Sequence, residues 1–139
     1  MLIRSTFLFS SIWHIFIKSF KWELAFTNTP NHKKHIIGIT CHNSKYLIKK
    51  AIKDKADYIA LGAFFLTKTK KTKYKANIKI LNWTKKTTNI PIVAIGGIKL
   101  NNYKKLLLNK VNFLAISGYV WNNNKYKPVE AIKKIKWKY

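Results

Sequence analysis

From residue 35 onward, short apolar runs alternate with longer stretches in which apolar residues recur every three to four positions. Unbroken runs of this length read as strands buried on both faces, and the wider spacing as amphipathic helices. The clearest run is Ile90-Pro91-Ile92-Val93-Ala94-Ile95, led in by a proline and stopped by Gly96 and Gly97. The pattern predicts strands over His35–Thr40, Ala56–Leu61, Ile90–Ile95 and Asn112–Ser117. Between the first two, Asn43 or Ser44 can cap a helix running to about Lys55, with Leu47, Ile48, Ala51 and Ile52 on one face. A second helix is predicted over Ala76–Lys86, turning Ile78, Leu81 and Trp83 or Lys85 inward. Asn101 can cap a short third helix carrying Tyr103, Leu106 and Leu107. Pro128 suits a first helical position, with Val129, Ile132 and Ile135 then facing the core.

The order is βαβαβαβα with no hairpin signal, which implies an α/β protein with a parallel sheet and right-handed crossovers. The strands begin near positions 36, 57, 91 and 112, so the middle unit is the longest, by 34 residues against 21 on either side. Its extra length is a polar loop, Gly62–Lys75, at the C-terminal end of the second strand, where such folds place chemistry. Paired strand ends such as Gly96-Gly97 and Ser117-Gly118 form the phosphate cup of many (β/α)8 barrels. A whole barrel needs about 250 residues, and this chain has 139. The pattern therefore gives four βα units of a parallel sheet in a chain too short for a whole barrel.

Residues 1–34 differ from the rest and are set apart from residues 35–139. Ser5–Ile17 is rich in aromatic and β-branched residues between Arg4 and Lys18, too short for a membrane span, which needs about 20 apolar residues, and without a signal-peptide cleavage site. A buried strand or helix, an interfacial helix, and sequence foreign to the fold are the open alternatives. Thr27–Lys34 reads as a loop.

The formal net charge is +24, and all but one of the 28 basic residues are lysine, Arg4 being the exception. Lysine, asparagine and isoleucine are abundant together and share AT-rich codons, which accounts for the charge better than nucleic-acid binding does, since readers of bases and phosphates lean on arginine. Aromatics do not alternate with lysine on one face, so no stacking platform for nucleic acid is expected. The single cysteine, Cys41, excludes an internal disulfide and suits a reducing cytoplasm.

Two glycines after a buried strand leave backbone N–H groups unguarded by side chains, which is how a protein approaches a phosphate closely. In the long loop, Thr67-Lys68-Thr69-Lys70 offers two hydroxyl donors and mobile ammonium charge, a set suited to a diphosphate. Thr40 and His42 lie at the end of the first strand and would point into the same site. Adjacent strand residues face opposite ways, so Cys41 and His42 are not expected to form a dyad. Metal-ligand spacings are absent, and the four acidic residues, Glu23, Asp54, Asp57 and Glu130, make no carboxylate pair. Asp57, just before a strand, is expected to be structural.

Four blocks together resemble the thiamine phosphate synthase family, over roughly residues 35–138. They are Ile37-Gly38-Ile39-Thr40-Cys41-His42-Asn43; Ala56–Gly62 leading to Thr67–Lys70; Ile90–Ile98; and Ala115-Ile116-Ser117-Gly118. They resemble the second half of that family's barrel, strands five to eight, which implies that residues 35–139 are a parallel (βα)4 half of a TIM (β/α)8 barrel without its N-terminal half, leaving the first and fourth strands with exposed edges. The resemblance implies an enzyme that joins a hydroxymethylpyrimidine diphosphate to a thiazole phosphate and releases diphosphate. Carried over by motif, Thr67, Thr69 and Lys70 would hold the diphosphate and thiazole side. Gly96 and Gly97 would give N–H groups to the thiazole phosphate, with Ile116 and Ser117 completing that cup. Thr40 stands where the family usually has serine beside the pyrimidine, and Lys70, Thr40 and His42 are the catalytic candidates.

The resemblance also implies magnesium, yet the aspartates that hold it in the family have no counterpart here, nor do the groups that receive the pyrimidine diphosphate. Such a half could dimerise into a closed pseudo-barrel, pair with a separately encoded half, or be a decayed or wrongly started reading frame. The rival within the superfamily is a thiazole tautomerase with His42 as the proton carrier, and the diphosphate-suited loop argues against it. A non-catalytic half-barrel binding a phosphorylated ligand is the rival from another class.

Overall fold

A computed structural model describes residues 2–4, 15–17, 36–67 and 73–136. Its six-stranded sheet runs β1 (Leu2–Arg4), β3 (Ile37–His42), β4 (Tyr58–Leu61), β5 (Ile92–Ile95), β6 (Phe113–Ile116) and β2 (Ile15–Ile17) in spatial order. The four central strands are parallel neighbours in chain order, as the alternating pattern predicts. Between and after them come helices α1 (Lys45–Lys53), α2 (Ile78–Thr87), α3 (Tyr103–Leu108), α4 (Gly118–Trp121) and α5 (Pro128–Lys134).

The exposed edges expected of a bare half-barrel are not there. β1 pairs antiparallel with β3, Ile3 opposite Gly38, and β2 pairs antiparallel with β6, Phe16 opposite Ala115. An edge strand presents a row of unmet N–H and C=O groups; these two short strands pair with β3 and β6 over three residues each and become the edges of the sheet themselves. Three-residue strands carry too little alternation to be read from a sequence.

The central strands are buried on both faces. Ile59, Leu61, Ile92, Ala94, Leu114 and Ile116 enter the larger core with residues of the helices, while Ala60, Val93, Phe113 and Ala115 form a second cluster with Tyr58 and Ile95. Period-two alternation puts these sets on opposite faces. At the N-terminal ends of the strands a carboxylate fixes the register: Asp57 Oδ2 accepts from the Ile37 N–H at 2.8 Å. This is the structural role expected of Asp57.

The helices follow the predicted order, except that the pattern does not predict α4, between β6 and the helix opened by Pro128, and three further corrections apply. Ser44 caps α1, its hydroxyl accepting from the Leu47 N–H at 3.3 Å, and Asn77 caps α2, accepting from Ile80 N–H at 2.9 Å. In α2 the buried set is Ile80, Leu81 and Thr84, with Ile78 and Trp83 only partly covered. Thr84 is tolerated there because its hydroxyl donates to the Ile80 carbonyl at 2.7 Å. Lys85 instead reaches the Lys110 carbonyl with its ammonium group. In α5, Val129 is 63% exposed because Ala131 and Ile135, four apart, define the inward face and Val129 lies nearly opposite. The capping position of α3 is Asn102 rather than Asn101, and its side chain makes no capping bond.

Cys41 is fully buried, and burial pushes its thiol from the ordinary 9.0 up to about 11. A protonated, enclosed thiol is a poor nucleophile. Native protein at pH 8 should therefore resist iodoacetamide at Cys41 and react fully once unfolded in guanidinium. Rapid labelling of the native protein, read by mass spectrometry, would contradict this placement.

Candidate functional site

The C-terminal ends of β3 to β6 gather His42, Gly62, Gly96 and Ser117 along one rim of the sheet. β3 runs two residues past the predicted end at Thr40. Between Thr40 and His42 the pairing slips, two residues of β3 facing one step of β4. A bulge of this kind bends a strand end and re-aims its side chains. His42 takes a left-handed φ of 52°, and its ring lies 4.9 Å from that of Tyr74 at an interplanar angle of 33°. Cys41 and His42 are thus separated as expected, one sealed in the core and one at the rim.

The loop after β4 folds over the end of β5. Gly62 N–H donates to the His42 carbonyl at 3.3 Å, Phe64 N–H to Ile95 at 3.1 Å and Phe65 N–H to Gly96 at 3.1 Å. Ala63 is tied to the returning strand of the loop, its N–H donating to Tyr74 at 3.2 Å and its carbonyl accepting from Ala76 at 2.9 Å. Both ends of the loop are therefore fixed. Thr67, on its outgoing arm, is partly buried. Lys68, Thr69 and Lys70 lie outside the described residues.

These bonds dictate the shape of the glycine turn. Because a trans peptide is planar, a carbonyl held in one direction holds the following N–H in the other. The carbonyls of Ile95 and Gly96 both point to the β4 loop, so the N–H groups of Gly96 and Gly97 both point away from it, toward β6. In a regular strand successive groups would alternate. The alternation is broken by φ angles of 91° at Gly96 and 65° at Gly97, which L-residues with a Cβ rarely adopt. Successive N–H groups on one side form an anion-binding concavity.

On the β6 side, Ser117 is partly exposed and its carbonyl accepts from Val120 and Trp121 N–H, both at 2.9 Å. Ile116 is fully buried in the helix-side core, so only its backbone is left to face a ligand. A cleft of about 430 Å³ lies on the other side of the turn, between Phe64, Phe65, Leu66 and Lys75 and the Gly97–Asn102 segment. Among the described residues, Gly97 is the one predicted site residue that borders it. The sequence reading missed Tyr74 and Asn102; Tyr74 had no motif to mark it, whereas Asn102 was hidden beside the equally plausible cap Asn101.

The described residues do not fit magnesium. Among the described residues no three His, Cys, Asp or Glu side chains come together. Asp54 pairs with Lys50 at 3.0 Å, Asp57 holds Ile37, and Glu130 accepts from the Lys127 N–H at 3.2 Å. Each serves a helix or strand end. Among the described residues no helix is long and apolar enough to cross a membrane.

Parallel strands joined by crossover helices, with a two-glycine turn at the C-terminal end of β5, define an α/β protein. A family model described as thiamine monophosphate synthase matches residues 14–120, and the chain belongs to that family. The match begins inside the segment set apart on sequence grounds. The chain is 69% identical over 104 residues to a thiamine-phosphate synthase of Pelagibacter ubique, covering 75% of this chain and 50% of the relative. It is 44% identical over 88 residues to one of Rhodospirillum centenum, covering 63% and 42%. A solved thiamine phosphate pyrophosphorylase from Pyrococcus furiosus superposes with a TM-score of 0.61 at 27% identity, over 72% of this chain and 46% of that one. The chain thus spans about half the length of the relatives it matches.

Proposed function

We propose that the chain supplies the thiazole phosphate- and diphosphate-holding half of a thiamine phosphate synthase site. The observation that carries this reading is the pair of same-side N–H groups at Gly96 and Gly97, formed by two left-handed glycines and backed by the β4 loop. In the reaction the bond from the pyrimidine methylene carbon to the diphosphate oxygen breaks, its electron pair leaving with diphosphate. The lone pair of the thiazole nitrogen then closes the new C–N bond. Little proton transfer is needed, so the work falls on holding charge. Gly96 and Gly97, with Ser117 and the Ile116 backbone, hold the thiazole phosphate. Thr67, Thr69 and Lys70 hold the departing diphosphate. Thr40 and His42 flank the pyrimidine from the end of β3.

A complete site needs the other half of the barrel, and that half would also bring the carboxylates for magnesium. The reaction is placed in the cytoplasm, on phosphorylated small molecules, with no specific nucleic-acid partner.

The test is thiamine phosphate formation by the purified chain with both substrates and magnesium, alongside calorimetric titration of each ligand. Thiazole phosphate and diphosphate should bind the chain even without turnover. Lys70→Ala should weaken diphosphate binding roughly tenfold, the scale of a lost charge-assisted bond, and Lys68→Ala by less. Equal effects would undo the assignment of Lys70, and failure of the wild-type chain to bind either ligand would undo the reading.

A further inference from the structure

The geometry points to Asn102 as a positioning residue that holds the glycine turn in its phosphate-receiving shape and adds a third amide, that of Ile98, to the cup; this rests on the reading above. Asn102 occupies the N-cap position of α3, where an asparagine ordinarily accepts from an N–H of its own helix. It makes no such bond. Its side chain turns back: Oδ1 accepts from the Lys99 N–H at 2.8 Å, and Nδ2 donates to the Gly97 carbonyl at 3.0 Å. The two bonds fix the amide orientation, since a flipped side chain would set donor against donor and acceptor against acceptor.

The second bond extends the logic of the turn. The β4 loop fixes the Ile95 and Gly96 carbonyls through Phe64 and Phe65. Asn102 is the side chain that fixes the next one, at Gly97. By peptide planarity it thereby sets the direction of the Ile98 N–H. Three consecutive peptide planes are then held from outside, two by backbone and one by this amide. Rigid, pre-aimed donors spend no free energy on ordering when the anion arrives. Asn102 itself need not touch the anion.

The test follows the backbone amides of Gly96, Gly97, Ile98 and Lys99 by ¹⁵N–¹H correlation spectra, with inorganic phosphate as the probe. In Asn102→Ala the Lys99 amide should lose its exchange protection, the Ile98 signal should move in the free protein, and phosphate affinity should fall about tenfold for two lost hydrogen bonds. Asn102→Asp keeps an acceptor for Lys99 but loses the donor to Gly97. It should retain Lys99 protection, still displace the Ile98 signal, and weaken phosphate binding as much or more. Unchanged Ile98 and Lys99 amides in Asn102→Ala would overturn the proposal, as would wild-type phosphate affinity in both variants. A wild-type protein whose glycine amides ignore phosphate, while Lys99 protection still depends on Asn102, would overturn the phosphate cup and leave the lock on the turn standing.

Discussion

Replacing Gly97 with alanine should cost both stability and ligand. At φ 65° an added Cβ would run into the carbonyl oxygens of Phe65 and Leu66, which are backbone atoms of the loop that buttresses the turn. The left-handed conformation alone costs a non-glycine residue about 1–2 kcal/mol. The collision must add to this, because the loop is pinned at Phe64 and Phe65 and cannot move without surrendering those bonds. A total of roughly 2–4 kcal/mol corresponds to a fall in melting temperature on the order of 10 °C for a domain of this size. Gly96→Ala should behave alike, since its Cβ would fall on Ala63. Thermal unfolding by circular dichroism reads the first effect, and phosphate titration at a temperature where the variant stays folded reads the second. A Gly97→Ala protein that melts like wild type and binds phosphate normally would mean that the turn does not take this shape.

The same contacts explain how the strand ends hold the candidate site together. Each strand end contributes one element, and each is held by the next. His42 fixes Gly62 and faces Tyr74, the loop between them fixes the carbonyls of Ile95 and Gly96, and Asn102 fixes that of Gly97. The site is therefore a product of the parallel order β3-β4-β5-β6, which sets these ends side by side. The antiparallel β1 and β2 flank the parallel strands and form the two edges of the sheet. They leave the rim itself to the loops.

Much of this was legible in the sequence because it depends on local pattern. Apolar runs bounded by glycine and polar stretches located the four parallel strands, and Gly96-Gly97 announced a turn that only glycine can make. What escaped depends on partners distant in the chain. Nothing near Leu2–Arg4 or Ile15–Ile17 signals pairing with β3 and β6. Asn101 and Asn102 are identical in type, and only the fold shows which one faces the glycine turn. Val129 lies in a helix whose inward face is set by Ala131, a residue too small to stand out in an apolar pattern. The bulge at His42 arises from register against β4, which sequence periodicity along β3 alone cannot express.

Tyr103 joins this core to the turn, and its removal should produce the largest loss of stability. It is the first residue of α3, directly after Asn102, with a ring only 1% exposed and a hydroxyl that donates to the Lys136 carbonyl just beyond α5 at 2.9 Å. Truncation to alanine leaves a cavity of most of an aromatic ring, for which about 3–5 kcal/mol is typical. Tyr103→Phe keeps the ring and loses one bond near the surface, at a cost of about 1 kcal/mol or less. The two variants also separate packing from hydrogen bonding at a distance. If the buried ring is what seats the start of α3, and so aims Asn102 at Gly97, then Tyr103→Ala should scatter the Ile98 and Lys99 amide signals and weaken phosphate binding, whereas Tyr103→Phe should leave both unchanged. Chemical denaturation supplies the stability difference and amide spectra the rest. Equal stability of the two variants would show that the ring is not the anchor, and undisturbed amides in a destabilised Tyr103→Ala would show that Asn102 holds the turn without help from the core.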